Sequence, residues 1–180
     1  MTKRKHLIIG VLTLALMASA ALAWLAPARG ERGPDITYTT VNGGEITRAD
    51  LAGRPTLVTF WATTCVSCVQ EIPHLVELYE ELNPRGLEII AVAMEYDPPR
   101  RVEALVKARN LNYAVALDRD GRVAKAFGDV RLTPTTFLIS PRGDIVLTRL
   151  GVLDMAQLRA RIIDMLPPEQ RAGLAHTGRG

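Results

Sequence analysis

Thr56-Leu57-Val58-Thr59-Phe60-Trp61 is a β-rich run with few polar breaks, and four residues later the chain reads Cys65-Val66-Ser67-Cys68. A run of that kind suits a strand covered on both faces. From Cys68 onward, Val69, Ile72, Leu75, Val76, Tyr79 and Leu82 trace one helical face, while Gln70, Glu71, His74, Glu77, Glu80 and Glu81 fill the opposite one. Pro73 falls inside this helix and is expected to kink it. A doubly covered strand running into an amphipathic helix, with two thiols at the junction, demands a layered α/β architecture.

The remaining segments fit that frame. Residues 36–41 and 45–47 flank Asn42-Gly43-Gly44, a strong hairpin signal. Residues 87–94 read as a second buried strand. Asp97 is expected to cap a helix opened by Pro98 and Pro99. A short strand over 114–117 and a short helix over 123–127 follow. Strands over 135–140 and 144–150 are joined by Pro141-Arg142-Gly143. Asp154 and Gln157 start the last helix in the manner of a capping box, and Pro167 stops it. Strands alternating with helices and closing in an antiparallel pair predict a mixed central sheet with helices on both faces.

The chain carries 22 Lys+Arg against 19 Asp+Glu, and its basic pI invites a nucleic-acid reading. Three of those bases, Lys3, Arg4 and Lys5, precede the first apolar run, and the 19 that remain match the 19 acids. The excess charge therefore belongs to the leader, and a basic nucleic-acid face has no support. Residues 7–26 hold no charged side chain, and a positive flank before such a stretch is the pattern of export. Ala21-Leu22-Ala23 would suit cleavage, but twenty uncharged residues exceed the usual signal core of about 7–15 and favour an uncleaved anchor. Either way the rest lies across a membrane, in the periplasm for a bacterial source. The expected layout is a leader over 1–26, a tether over 27–34, one domain over 35–166 and a disordered tail over 167–180.

Cys65 and Cys68 are the only cysteines. A bridge between them closes too short a loop to remove much entropy from the unfolded chain, so a structural staple is a poor explanation. A helix N-terminus offers free N–H groups and a positive dipole end, which stabilise a thiolate at Cys65. Cys65 then attacks, and Cys68, one turn on, resolves the mixed disulfide. No resident metal or cofactor is expected. A Cu(I) site on the thiol pair and a thiol peroxidase are the alternatives. A closed zinc site lacks ligands, since the histidines are His6, His74 and His176.

Leu51-Ala52-Gly53-Arg54-Pro55, Phe60-Trp61-Ala62-Thr63-Thr64-Cys65-Val66-Ser67-Cys68, Glu71-Ile72-Pro73 and Leu132-Thr133-Pro134-Thr135-Thr136-Phe137 together resemble the TlpA/ResA-like branch of the thioredoxin superfamily. The resemblance implies a thioredoxin fold with an N-terminal β-hairpin extension. It implies a thiol:disulfide oxidoreductase, acting as a reductant on client proteins with cysteine pairs, of the cytochrome c or copper-site maturation type. A membrane thiol donor would supply the electrons, and the chain is expected to be a monomer. It further implies a cis Pro134 beside the cysteines, with Thr133 pairing its backbone with the client and Trp61 completing that site. Thr64 and Ser67 depart from the Trp and Pro common in the family at those places. The acid that handles the Cys68 proton is expected at Glu95, with Asp97 as the alternative.

Overall fold

A computed structural model describes residues 31–171 and, within the leader, residues 6, 10, 11 and 13–19. Residues 13–19 are helical. Among the described residues no helix is long and apolar enough to cross a membrane, and the anchor expectation falls largely outside them.

The run that opened the sequence argument becomes β3 (Thr56–Trp61), and all six of its residues are buried. It occupies the centre of a five-stranded sheet in the order β5-β4-β3-β6-β7. On one side β3 pairs in parallel with β4 (Glu88–Ala93), and β4 in turn with β5 (Ala114–Leu117). On the other side it pairs antiparallel with β6 (Thr135–Ile139), which pairs with β7 (Ile145–Leu150). The register sets Phe60 opposite Thr135 and Thr56 opposite Ile139, so the loop into β6 meets the end of β3. The hydroxyls of Thr59 and Thr136 hydrogen-bond across the pair at 2.9 Å, which removes the cost of burying either alone.

Side-chain alternation along β3 divides the core. Leu57 and Trp61 face a layer built by α1 (Val66–Leu82), α2 (Pro99–Ala108) and α4 (Met155–Met165). Val58 and Phe60 face the other layer, built by Tyr38, the short α3 (Arg122–Ala126) and Phe127. The expected hairpin is present as β1 (Tyr38–Thr39) and β2 (Glu45–Ile46), and Gly43 turns it with φ +79°. Its turn-side end joins the sheet at β5, where the Val41 N–H donates to the Val115 carbonyl.

Two boundaries differ from expectation. Asp97 does not cap α2: Pro98 holds that position without a side-chain bond, and the Asp97 carboxylate turns instead to Thr63. Asp154 does cap α4, accepting from the Gln157 N–H at 3.0 Å. The segment expected as a tail begins with a helical turn, α5 (Pro168–Arg171), whose Gln170 carbonyl accepts from Arg85. Residues 172–180 lie outside the described part.

Candidate active site

β3 ends at Trp61, and the turn Ala62–Cys65, closed by the Cys65 N–H donating to the Ala62 carbonyl, delivers the first cysteine to the N-terminus of α1. Cys65 is itself the N-cap, and its Sγ accepts the Cys68 N–H at 3.3 Å. The Ser67 hydroxyl lies 3.6 Å from the same sulfur. Serine at this place, where the resemblance leads one to look for proline, therefore brings a second donor to the sulfur. Cys65 and Cys68 form a disulfide with their Cα atoms 5.3 Å apart. Cys65 is half-buried and Cys68 buried, the asymmetry an attacking and a resolving thiol need.

The Thr133–Pro134 bond is cis, and Pro134 lies against Cys68. The loop is held by the Thr135 hydroxyl donating to the Leu132 carbonyl and by the Gly151 N–H donating to the Pro134 carbonyl. No hydrogen bond among the described residues engages the backbone of Thr133.

Two expected participants are placed otherwise than at a client surface. Trp61 is only 4% exposed and lines the same small cavity as Cys68 and Pro134, because strand alternation points it into the α1 layer. Its indole N–H has no hydrogen-bond partner among the described residues. Glu95 is exposed and its carboxylate lies over Gly121, where a Cβ would collide with it. It does not line the cavity behind Cys68.

A different acid does. Glu71 is 4% exposed and shares with Cys68, Trp61, Thr59, Tyr113 and Pro134 a cavity of about 10 Å³, room for roughly one water. Its Oε1 accepts the Leu153 N–H at 2.7 Å. Burial pushes its carboxyl pKa up, against the opposing pull of the Leu153 bond and of His74. Burial also raises Tyr113, with the Glu71 charge adding to it. The sequence carried a signal for Glu71 that face-by-face hydropathy hid. It falls three residues after Cys68, in the stripe Cys68-Glu71-Ile72-Leu75-Leu78-Leu82 that α1 buries.

Among the described residues no three of His, Cys, Asp and Glu converge on a metal position.

Residues 29–148 match the AhpC/TSA family. The chain belongs to the AhpC/TSA family. Within it, this AhpC/TSA chain is 30% identical over 146 residues to the thiol-disulfide oxidoreductase ResA of Bacillus subtilis, covering 81% of this chain and 80% of that one. It is 32% identical to ResA of Halalkalibacterium halodurans over 78% of each chain. Its fold superposes with a TM-score of 0.72 on a thioredoxin-family thiol:disulfide interchange protein of Chlorobium tepidum, at 26% identity, covering 79% of this chain and all of that one. The thioredoxin fold and the thiol-disulfide oxidoreductase class expected from the motifs both stand.

Proposed function

We propose that Cys65 and Cys68 are the redox centre of an extracytoplasmic reductant of client-protein disulfides, periplasmic in a bacterial source. The observation that carries the reading is the pair's placement, with an N-capping, half-exposed Cys65 in front of a buried Cys68. The Cys65 thiolate attacks one sulfur of a client disulfide, forming a mixed disulfide and releasing the other client sulfur as a thiolate, which takes a proton. Cys68 then passes its proton to the Glu71 carboxylate and attacks Cys65 Sγ. The client's second sulfur leaves as a thiolate and is protonated in turn. Two electrons move from the dithiol to the client, and a thiol donor at the membrane restores the pair. Glu71 replaces Glu95 as the proton-handling acid, since a carboxyl whose pKa burial raises, sharing a cavity with the resolving thiol, suits that task.

A protein client fits the surface. Val66, Tyr96, Leu132, Leu150 and Val152 are each between 55% and 71% exposed, and all lie on segments that meet at the cysteines and Pro134. Thr133 offers unpaired backbone in their midst for an extended chain. Clients of the cytochrome c or copper-site maturation type present such cysteine-bearing segments. Leu132→Glu combined with Val152→Asp is expected to raise KM for a protein disulfide about tenfold, since each charge would face an apolar client side chain. Insulin reduction checks this, and an unchanged KM would remove the patch from the client site.

The Glu71 assignment has its own test. A carboxyl raised by burial is still protonated in the folded state at a pH where the unfolded chain, at about 4.3, has lost its proton. Stability therefore falls as pH climbs from the unfolded value through the folded one. Glu71→Gln lacks that slope, so its stability relative to the parent should grow between pH 4 and pH 8 in urea unfolding. A difference independent of pH would contradict the assignment. Resolution of mixed disulfides by this variant is expected to slow at least tenfold, in line with the usual worth of general base catalysis, about 10²–10⁴.

A further inference from the structure

Asp97 is 4% exposed, and both of its carboxylate oxygens are spent on one residue. Oδ2 accepts the Thr63 N–H at 2.5 Å and Oδ1 accepts the Thr63 hydroxyl at 2.7 Å. Among the described residues no Lys, Arg or His forms an ion pair with it. Its own N–H is tied back to the Met94 carbonyl, so the carboxylate is held on a closed turn at the end of β4. Thr63 lies in the turn that carries Cys65, two residues or at most about 7 Å of chain before it. A buried carboxylate with no ion-pair partner among the described residues thus holds the turn that carries the nucleophile, and nothing in the exchange steps above uses it.

We propose that Asp97 is a positioning residue for Cys65: it clamps the thiol-bearing turn through Thr63, and its charge restrains the thiol from ionising. The inference rests on the reading of Cys65 as the attacking thiol. Its chemical sense follows from the opposing influences on that sulfur. The Cys68 N–H, the Ser67 hydroxyl and the dipole of α1 favour the thiolate. A like charge nearby disfavours it. A reduced form that is strongly stabilised as thiolate makes a protein an oxidant, so restraint of the thiolate keeps the pair reducing. The other acids near the site, the buried Glu71 behind Cys68 and the exposed Glu95, are left in place by the variants below.

The bonds and the charge can be separated. Asp97→Asn removes the charge and, because an amide has one acceptor oxygen, keeps at most one of the two bonds. Thr63→Val keeps the charge and deletes the hydroxyl donor that partly neutralises it. Mere loosening of the turn would move both variants the same way, whereas the proposal moves them in opposite directions. The measurement is the pH profile of Cys65 alkylation by iodoacetamide in the reduced full chain, read by mass, alongside the equilibrium with glutathione and a thermal melt. At pH 6 Asp97→Asn should alkylate at least threefold faster than the parent, and its equilibrium with glutathione should shift toward the dithiol. Thr63→Val should alkylate more slowly. Shifts of one sign in both variants, or none in either, would overturn the proposal. If the melt shows Asp97→Asn unfolded, Thr63→Val is read against Thr63→Ser, which keeps the hydroxyl: slowing in Thr63→Val alone supports the proposal, and acceleration, no change or equal slowing in both overturns it. A parent that alkylates at Cys65 but reduces no disulfide would instead sink the exchange reading, with the profiles still deciding the role of Asp97.

Discussion

Cys68→Ser should turn the enzyme into a covalent trap. With Cys65 still capping α1 and accepting the residue-68 N–H, the first attack proceeds. The serine hydroxyl cannot displace the client sulfur, so the mixed disulfide persists until an outside thiol reaches it. Multiple-turnover reduction of insulin should fall by at least about 10³-fold, with a stoichiometric adduct on a non-reducing gel that dithiothreitol dissolves. Cys65→Ser should lose the same turnover and form no adduct, because the sulfur left behind is buried. Equal trapping by the two variants would reverse the assigned order of attack.

The second large effect is on stability. Phe60→Ala should cost about 3–5 kcal/mol, the usual range for emptying a well-packed aromatic site. Phe60 is fully buried, and its ring meets Phe127 edge-on at 5.4 Å and Phe137 at 6.0 Å. Phe127 and Phe137 also touch each other at 4.8 Å, so the three rings form one closed cluster over the central strand. Removing this ring leaves a void bounded by β4, β6 and the segment after α3, and the two strands cannot move in without breaking their pairing with β3. Against a typical total of about 5–15 kcal/mol, a loss of that size is a large share. Urea unfolding measures it directly, and a change below about 1 kcal/mol would mean that the cluster collapses around the gap.

The order of elements was legible because β3, β4 and α1 declare themselves by strong patterns: continuous apolar runs for the strands and a 3.6-residue period for the helix. The thiol pair was legible because its spacing and its place at a strand–helix junction are local. Glu71, Trp61 and Asp97 were not, and each for a nameable reason. Glu71 reads as one more acid on a polar helical face, and only the way α1 lies on the sheet turns it inward. Trp61 reads, by resemblance, as part of the client site, and strand alternation turns it into the core beside Cys68. Asp97 stands where a helix cap would stand, and only the meeting of two strand ends in the parallel pair β3–β4 brings Thr63 within its reach. Local pattern fixes the elements, while the register between strands decides which polar groups share a buried space.

The chain's entry into the sheet has one more consequence. Glu31 and Gly33 are bonded beside the β6–β7 turn, through the Ile145 N–H to the Glu31 carbonyl and the Gly33 N–H to the Gly143 carbonyl. That turn lies at the end of the strands opposite Cys65, since β6 runs antiparallel to β3. The domain is therefore polarised like a plug on a cord, with its attachment at one pole and its contact at the other, separated by a strand's length of about 17–20 Å. Any pull on the domain through Glu31 and Gly33 is thus taken up at the β6–β7 turn, at the pole away from Cys65, and leaves the reactive end undistorted.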